Sequence, residues 1–176
     1  MVNILKYFIE EPEREFHIRE LARLTKKSPT TISKYLKNYK KRKILISKER
    51  FNHVLYKANT ENRAYRDVKL WYNLKKIRKS GLIDYLIEEY NYPKAIILFG
   101  SFRKAENIPK SDIDLLMITP IKERINLEKF EKILNHEIQL FIHSSKEIDI
   151  MKIKNKELLN SFINGIVLEG YWEIYK

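Results

Sequence analysis

The sequence predicts an α+β chain built in two parts, and three observations carry that expectation. Residues 1–60 show three stripes of apolar residues at helical spacing followed by two strand-like runs, whereas residues 80–176 alternate short apolar strands with amphipathic helices. Positive charge is concentrated in the first part: residues 1–60 hold 15 Lys and Arg against 6 Asp and Glu, or +9 of the chain's net +12. With 176 residues, 44% of them hydrophobic and 33% charged, the chain has the composition of a globular protein of one ordinary or two small domains.

Ile4, Leu5 and Phe8 form the apolar side of a first helix, and Ile18, Leu21, Ala22 and Thr25 that of a second. The third has a start signal: Ser28 is a good N-cap and Pro29 suits the first helical position. Its buried stripe is Ile32, Tyr35, Leu36 and Tyr39, and Thr30, Thr31, Ser33, Lys34 and Lys37 occupy the opposite face. The basic cluster Lys40 to Lys43 leads into a strand at Ile44 to Ile46, a polar turn at Glu49 to His53 and a returning strand at Val54 to Lys57.

This order of three helices and a hairpin, with the stretch HIRELARLTKKSPTTISKYLKNYKKRKIL, resembles the winged helix-turn-helix DNA-binding domains of prokaryotic transcription regulators over residues 1–60. The resemblance makes the third helix a recognition helix. Short hydroxyl side chains at Thr30, Thr31 and Ser33 would reach base edges while Lys34 and Lys37 neutralise phosphates, with Arg50, Asn52 and His53 at the tip of the wing. A winged helix used for protein contact is the competing expectation, and the local charge favours DNA. Dimerisation follows as an expectation from the way such domains meet two-fold operators.

Residues 61–79 read as a linker helix, where Val68, Trp71, Tyr72 and Lys75 to Ile77 suggest an apolar side and much basic charge, with Trp71 and Leu74 free to pack on the second domain or a dimer seam. Ser80 is the expected N-cap of a helix through Leu82, Leu86 and Tyr90 that stops before Pro93. A strand over Lys94 to Phe99, a strand around Met117, an amphipathic helix over Leu127 to Leu134 and a strand over Glu137 to Ile142 follow. The tail from Lys154 to Ile163 reads as one helix ended by Gly165.

The most chemically loaded segment is KAIILFGSFRKAENIPKSDIDLLMI, from Lys94 to Ile118. Gly100-Ser101 ends an apolar run at a turn that brings backbone close to a ligand, and Asp112 and Asp114 follow after ten intervening residues. On a strand both carboxylates point to one face while Ile113, Leu115 and Met117 point to the other. Two adjacent like charges call for a cation. Mg²⁺ suits them, being a hard ion that takes carboxylate and phosphate oxygens, and a pair of such ions can clamp an in-line displacement at phosphorus.

The pattern Gly-Ser, ten residues, Asp-x-Asp resembles the minimal, prokaryotic branch of the DNA polymerase β nucleotidyltransferase superfamily, over residues 80–176. Asp-x-Asp also serves glycosyltransferases and haloacid dehalogenase-like phosphatases, but the phosphatase nucleophile follows the first strand with no Gly-Ser turn before it. The resemblance implies a mixed sheet with flanking helices and transfer of a nucleoside monophosphate from a nucleoside triphosphate to an acceptor hydroxyl. It implies that Asp112 and Asp114 hold Mg²⁺, two ions in an active enzyme, and that Gly100 and Ser101 hold the β and γ phosphates. Where the family continues Ala-Arg-Gly this chain has Arg103-Lys104-Ala105, so Lys104 keeps the cation and the glycine is lost. The family's third carboxylate falls at Gln139, with Glu137 the nearest substitute. Members of this branch are often antitoxins that modify a small helical partner protein, which makes a protein acceptor one expectation. A DNA-binding regulator whose transferase domain has lost its chemistry is the alternative.

The chain has no cysteine, which excludes disulfides and thiolate zinc sites, and His17, His53, His136 and His143 lack metal-ligand spacing. No apolar run approaches membrane-spanning length, so a cytoplasmic location is expected.

Overall fold

A computed structural model describes residues 4–50 and 53–174. The chain divides into two compact units between Lys69 and Leu70, inside one helix.

The first unit runs α1 (Leu5–Glu10), β1 (Phe16–His17), α2 (Ile18–Thr25), α3 (Pro29–Lys41), β2 (Leu45–Arg50) and β3 (His53–Ala58). The three helices lie where the periodicity places them, but the hairpin strands are longer than expected, since Glu49, Arg50 and His53, expected in the turn, pair in the β2–β3 ladder. The two-residue β1 was not foreseen; it pairs antiparallel with β3, giving a sheet of order β1-β3-β2. The α3 cap is as expected, with Ser28 Oγ accepting from Thr31 N at 3.2 Å and Pro29 in the first turn. Ile32 and Leu36 are fully buried, while Tyr35 and Tyr39 are half-buried with stacked rings 6.4 Å apart. Phe8 and Phe16 meet edge to face at 5.0 Å inside this core.

Helix α4 (Arg63–Lys79) crosses the division. Its buried residues are Tyr65, Lys69, Asn73 and Ile77, at steps of four, so the expected apolar side built on Trp71 is corrected. Trp71 is 61% exposed and carries Lys75 Nζ over its ring at 4.5 Å.

The second unit continues with α5 (Leu82–Glu89), β4 (Ala95–Phe99), α6 (Gly100–Lys104), β5 (Ile113–Ile118), α7 (Glu128–Leu134), β6 (Ile138–His143), α8 (Ser145–Lys154), α9 (Lys156–Ile163) and β7 (Ile166–Gly170). Its sheet has the order β6-β5-β4-β7; β5 and β6 are parallel and the other pairs antiparallel. All five residues of β4 are buried, because both faces of the sheet are covered. Ile96 and Leu98 join Ile113, Leu115 and Met117 in a core with Ile77, Leu82, Leu86, Phe130 and Leu134. Ala95, Ile97 and Phe99 join Leu116 and Ile118 in a second core under Ile148, Leu159 and Phe162. The second face, which carries α8 and α9, is the face on which Asp112 and Asp114 alternate with the strand's inward residues.

Three expectations in this unit are corrected. Gly81, left-handed at φ 78°, holds the cap position of α5, and Ser80 instead links the two helices, its hydroxyl donating to Ile77 O at 2.7 Å and accepting from Leu82 N at 3.2 Å. The expected tail helix is α9, which starts two residues later than Lys154 with the Asn155 side chain as its cap (φ −148°, ψ 71°), and a further helix, α8, precedes it unforeseen. Gly165 is not a left-handed helix stop: a side chain there would sit 2.4 Å from Ile97 Cγ2, so its smallness lets the backbone close on β4 before β7 begins.

Candidate active site

Strand β4 delivers the chain to Gly100 at φ 67°, a left-handed turn that a side chain disfavours. A second constraint acts at the same residue. Phe99 lies directly opposite Asp114 in the antiparallel register, and a Cβ on Gly100 would fall 2.0 Å from Asp114 Oδ2. The Asp114 carboxylate therefore occupies the space a side chain at Gly100 would fill, next to the first turn of α6. Ser101, half-buried in that turn, has a hydroxyl with no hydrogen bond among the described residues.

Asp112 stands one residue before β5, and Asp114 is the second residue of that strand. Gln139 of β6 faces Asp114 in the parallel register, and its Nε2 donates to Asp112 Oδ2 at 2.5 Å. Burial, and secondarily the negative charge of Asp112, hold the Asp114 carboxyl above its ordinary pKa. A pair of carboxylates whose proximity raises one of them is a set that a cation stabilises. The donors fit one hard divalent ion, since they are two carboxylates and a neighbouring neutral amide already bonded to Asp112. Among the described residues no cluster of three His, Asp or Glu forms a larger cage.

The loop between α6 and β5 is held on several sides. Asn73, buried on α4, donates through Nδ2 to Phe102 O at 3.1 Å and to Asn107 Oδ1 at 2.9 Å. Ile108 N donates to Ser111 Oγ at 2.9 Å, and His136 Nδ1 lies 2.7 Å from Ser111 O, so that nitrogen carries the proton. Ile113 N donates to Glu137 O at 2.8 Å. These bonds pin the approach to Asp112. Ala105, where the resembled pattern has glycine, keeps the left-handed conformation at φ 59°.

Two hollows lie at the site, one at Asp112 and one at Gly100. One of about 680 Å³ is lined by Asp112 together with Ser111, Lys110, His136 and Glu137. Glu137 is exposed there and precedes β6, whereas Gln139 is the residue that the register sets beside Asp114. The other, of about 410 Å³, is lined by Gly100, Arg103, Lys104, Asn160, Ser161 and Asn164. Lys104 is exposed at its edge. The structure thus brings Gly100, Asp112, Asp114 and Gln139 together, sets Lys104 at an adjoining hollow and leaves Glu137 at the opposite one. Sequence reasoning missed Arg103, Asn73 and the polar side of α9; only α9's Asn160-x-x-x-Asn164 spacing carried a readable signal.

In the first unit Thr30, Lys34, Lys37 and Arg50 are exposed and Ser33 is half-buried. Thr31 differs from expectation, because its Oγ1 lies 2.9 Å from Ser28 Oγ and is drawn into the helix cap. Asn52 lies outside the described residues. No helix among the described residues is long and apolar enough to cross a membrane.

No curated protein matches the chain. The family described as polymerase beta, nucleotidyltransferase matches residues 81–171, just over half of the chain and the stretch that holds the whole four-stranded sheet and both carboxylates. The chain belongs to the polymerase beta nucleotidyltransferase family.

Proposed function

We propose that the second unit binds a nucleoside triphosphate with Mg²⁺ at Asp112 and Asp114 and transfers its nucleoside monophosphate slowly, and that the first unit is a winged helix-turn-helix that holds the protein on DNA. The observation that carries the first half is the packing of the Asp114 carboxylate against Gly100, with Asp112 beside it on one strand face. That arrangement sets two anionic ligands next to the turn where the family resemblance puts the β and γ phosphates, with Ser101 and Lys104 at hand. Mg²⁺, when bound, would offset the phosphate charge that otherwise repels these carboxylates.

In the transfer itself an acceptor oxygen forms a bond to the α-phosphorus, the bond from that phosphorus to the bridging oxygen breaks, and pyrophosphate leaves with the electron pair. The acceptor's proton must go to a base. Asp112 is hydrogen-bonded to Gln139, and Gln139, a neutral amide, cannot take a proton. Binding is therefore supported more strongly than rapid chemistry.

The DNA reading rests on the +9 balance of residues 1–60 and on a capped third helix that exposes Thr30, Lys34 and Lys37. The Gln139 to Asp112 bond favours a second reading, a DNA-bound regulator whose transferase unit only binds nucleotide or a small helical partner protein. Incubation of the protein with Mg²⁺ and each labelled nucleoside triphosphate, followed by a search for label on proteins or RNA of a cell extract, separates the two. Slow labelling that depends on Asp112 and Asp114 supports the transferase; nucleotide binding with no labelling supports the regulator.

A further inference from the structure

Strand β6 ends its sheet, and its outer edge is closed at both ends but open in the middle. Ile113 N donates to Glu137 O at 2.8 Å and Thr119 N to His143 O at 3.0 Å, so the odd-numbered residues of β6 turn their backbone to β5 and Ile138, Leu140 and Ile142 turn theirs outward. Two charged side chains close the ends. Glu131 Oε1 accepts from Ile138 N at 3.0 Å, and Lys122 Nζ donates to Ile142 O at 3.0 Å. Between them the outward N–H and C=O of Leu140, a half-buried residue, have no partner among the described residues. Backbone groups in that state are costly unless water or a ligand completes them.

A slot of about 410 Å³, within the range of small-molecule sites, lies between this edge and residues 122–127. Ile125 and Leu127 line it from one side and Leu140 and Ile142 from the other, all partly buried against the larger core. The segment is held at both ends: the Tyr90 hydroxyl donates to Glu123 O at 2.7 Å, and Asn126 Oδ1 accepts from Glu128 N at 2.9 Å. The charged residues of the lining are Lys122 and Arg124, with no carboxylate beside them among the described residues. Lys122 is already offset by its bond to Glu147. Arg124 is exposed and has no partner among the described residues, so the slot has one spare positive charge.

We propose that this slot binds a small aliphatic monocarboxylate, its chain against Ile125, Leu127 and Leu140 and its single charge on the Arg124 guanidinium. One spare cation above an apolar floor matches a monoanion with an apolar body, and a guanidinium holds a carboxylate through two parallel bonds. The assignment goes beyond the nucleotide reading and does not depend on it. No residue of the slot is among those given to the metal or the phosphates, and its floor lies on the opposite face of β6 from Gln139.

The test titrates octanoate into the full chain and follows backbone amide signals by NMR. The Leu140 and Ile142 amides should shift and saturate. Acetate, which has the charge without the chain, and octylammonium, which has the chain with the opposite charge, should leave both signals in place. Arg124→Gln, at an exposed position, should weaken octanoate about tenfold, the scale of one lost hydrogen bond to a charged group. Ile125→Trp, which fills the slot, should block octanoate, so the assignment does not hang on one variant. No saturable shift at Leu140 with octanoate, an equal response to octylammonium, or unchanged octanoate affinity in both variants would overturn the proposal, and none of these results touches the nucleotide reading.

Discussion

Gln139 donates its side-chain amide to Asp112 at 2.5 Å while facing Asp114 across the parallel pair of β5 and β6, so one neutral residue touches one carboxylate and borders the other. Its position on β6 sets a neutral amide within reach of both carboxylates. Replacing it with Glu should raise transfer by about a hundredfold, at the low end of what a positioned general base supplies. In the absence of Mg²⁺ the same variant should be less stable than the parent, since three carboxylates would then share the site, and Mg²⁺ should restore the difference. Glu137→Gln, altering a residue in the other hollow, should change transfer little. Fast transfer by the unaltered protein that Glu137→Gln abolishes would identify Glu137 as the base instead.

Gly100→Ala tests the packing of the carboxylate directly. The left-handed φ of 67° costs a non-glycine residue about 1–2 kcal/mol, and the new methyl must also displace Asp114 Oδ2 from 2.0 Å, typically another 1–3 kcal/mol. In an Asp114→Ala background only the backbone cost should remain. Urea denaturation of the four proteins of this cycle should therefore show a coupling of at least about 1 kcal/mol, and additive losses would mean that the two residues do not touch.

Much of this arrangement was legible in the sequence because its signals are short-range. The Gly-Ser turn, the alternation around Asp112 and Asp114 and the Ser28-Pro29 helix start are each decided by a few neighbouring residues. The losses came where tertiary context decides. The buried face of α4 includes Lys69 and Asn73, so its pattern looks polar and drew attention to Trp71, which is exposed. Helix α8 carried a readable capping box at Ser144 and Glu147, but its apolar residues Ile148, Ile150, Met151 and Ile153 do not form one clean stripe, and only Ile148 is buried. Strand β7 follows a glycine that looks like a helix stop; its role in backbone packing against Ile97 becomes visible only once β4 is its neighbour. The hollow between α6 and α9 joins residues nearly sixty positions apart, a distance that no local pattern spans.

For the first unit, DNA affinity of the full chain should fall steeply with salt. Lys34→Ala and Lys37→Ala, both at exposed positions of α3, should each reduce the logarithmic salt slope by about one unit if each meets a phosphate. Thr30→Ala should change sequence preference. Thr31→Ala should instead cost stability, about 0.5–1 kcal/mol, because its hydroxyl belongs to the Ser28 cap. A salt-insensitive interaction, or none, would remove the DNA reading.

The pH dependence of stability should carry the mark of Asp114. Burial, then Asp112, raises its pKa in the folded chain above the unfolded value, so the native state holds the proton to higher pH than the unfolded state does. Stability should consequently fall as pH rises from the unfolded value through the raised one, then level off, and Asp114→Asn should flatten that fall. Thermal melts between pH 3 and 7 without divalent ions, at about 0.1 M salt, would measure it. An unchanged pH profile in the variant would show that Asp114 is not the group under stress.

The most direct test of the site is nucleotide binding with and without its carboxylates. Titration of each nucleoside triphosphate into the unaltered chain, in Mg²⁺ and then in chelator, should show binding that requires the metal. Asp112→Asn with Asp114→Asn should lose that binding while melting no lower than the parent, since neither carboxylate is fully buried and Asp114 is held above its ordinary pKa. Equal Mg²⁺-dependent affinity in the double variant would contradict the assignment of the metal and the nucleotide to Asp112 and Asp114.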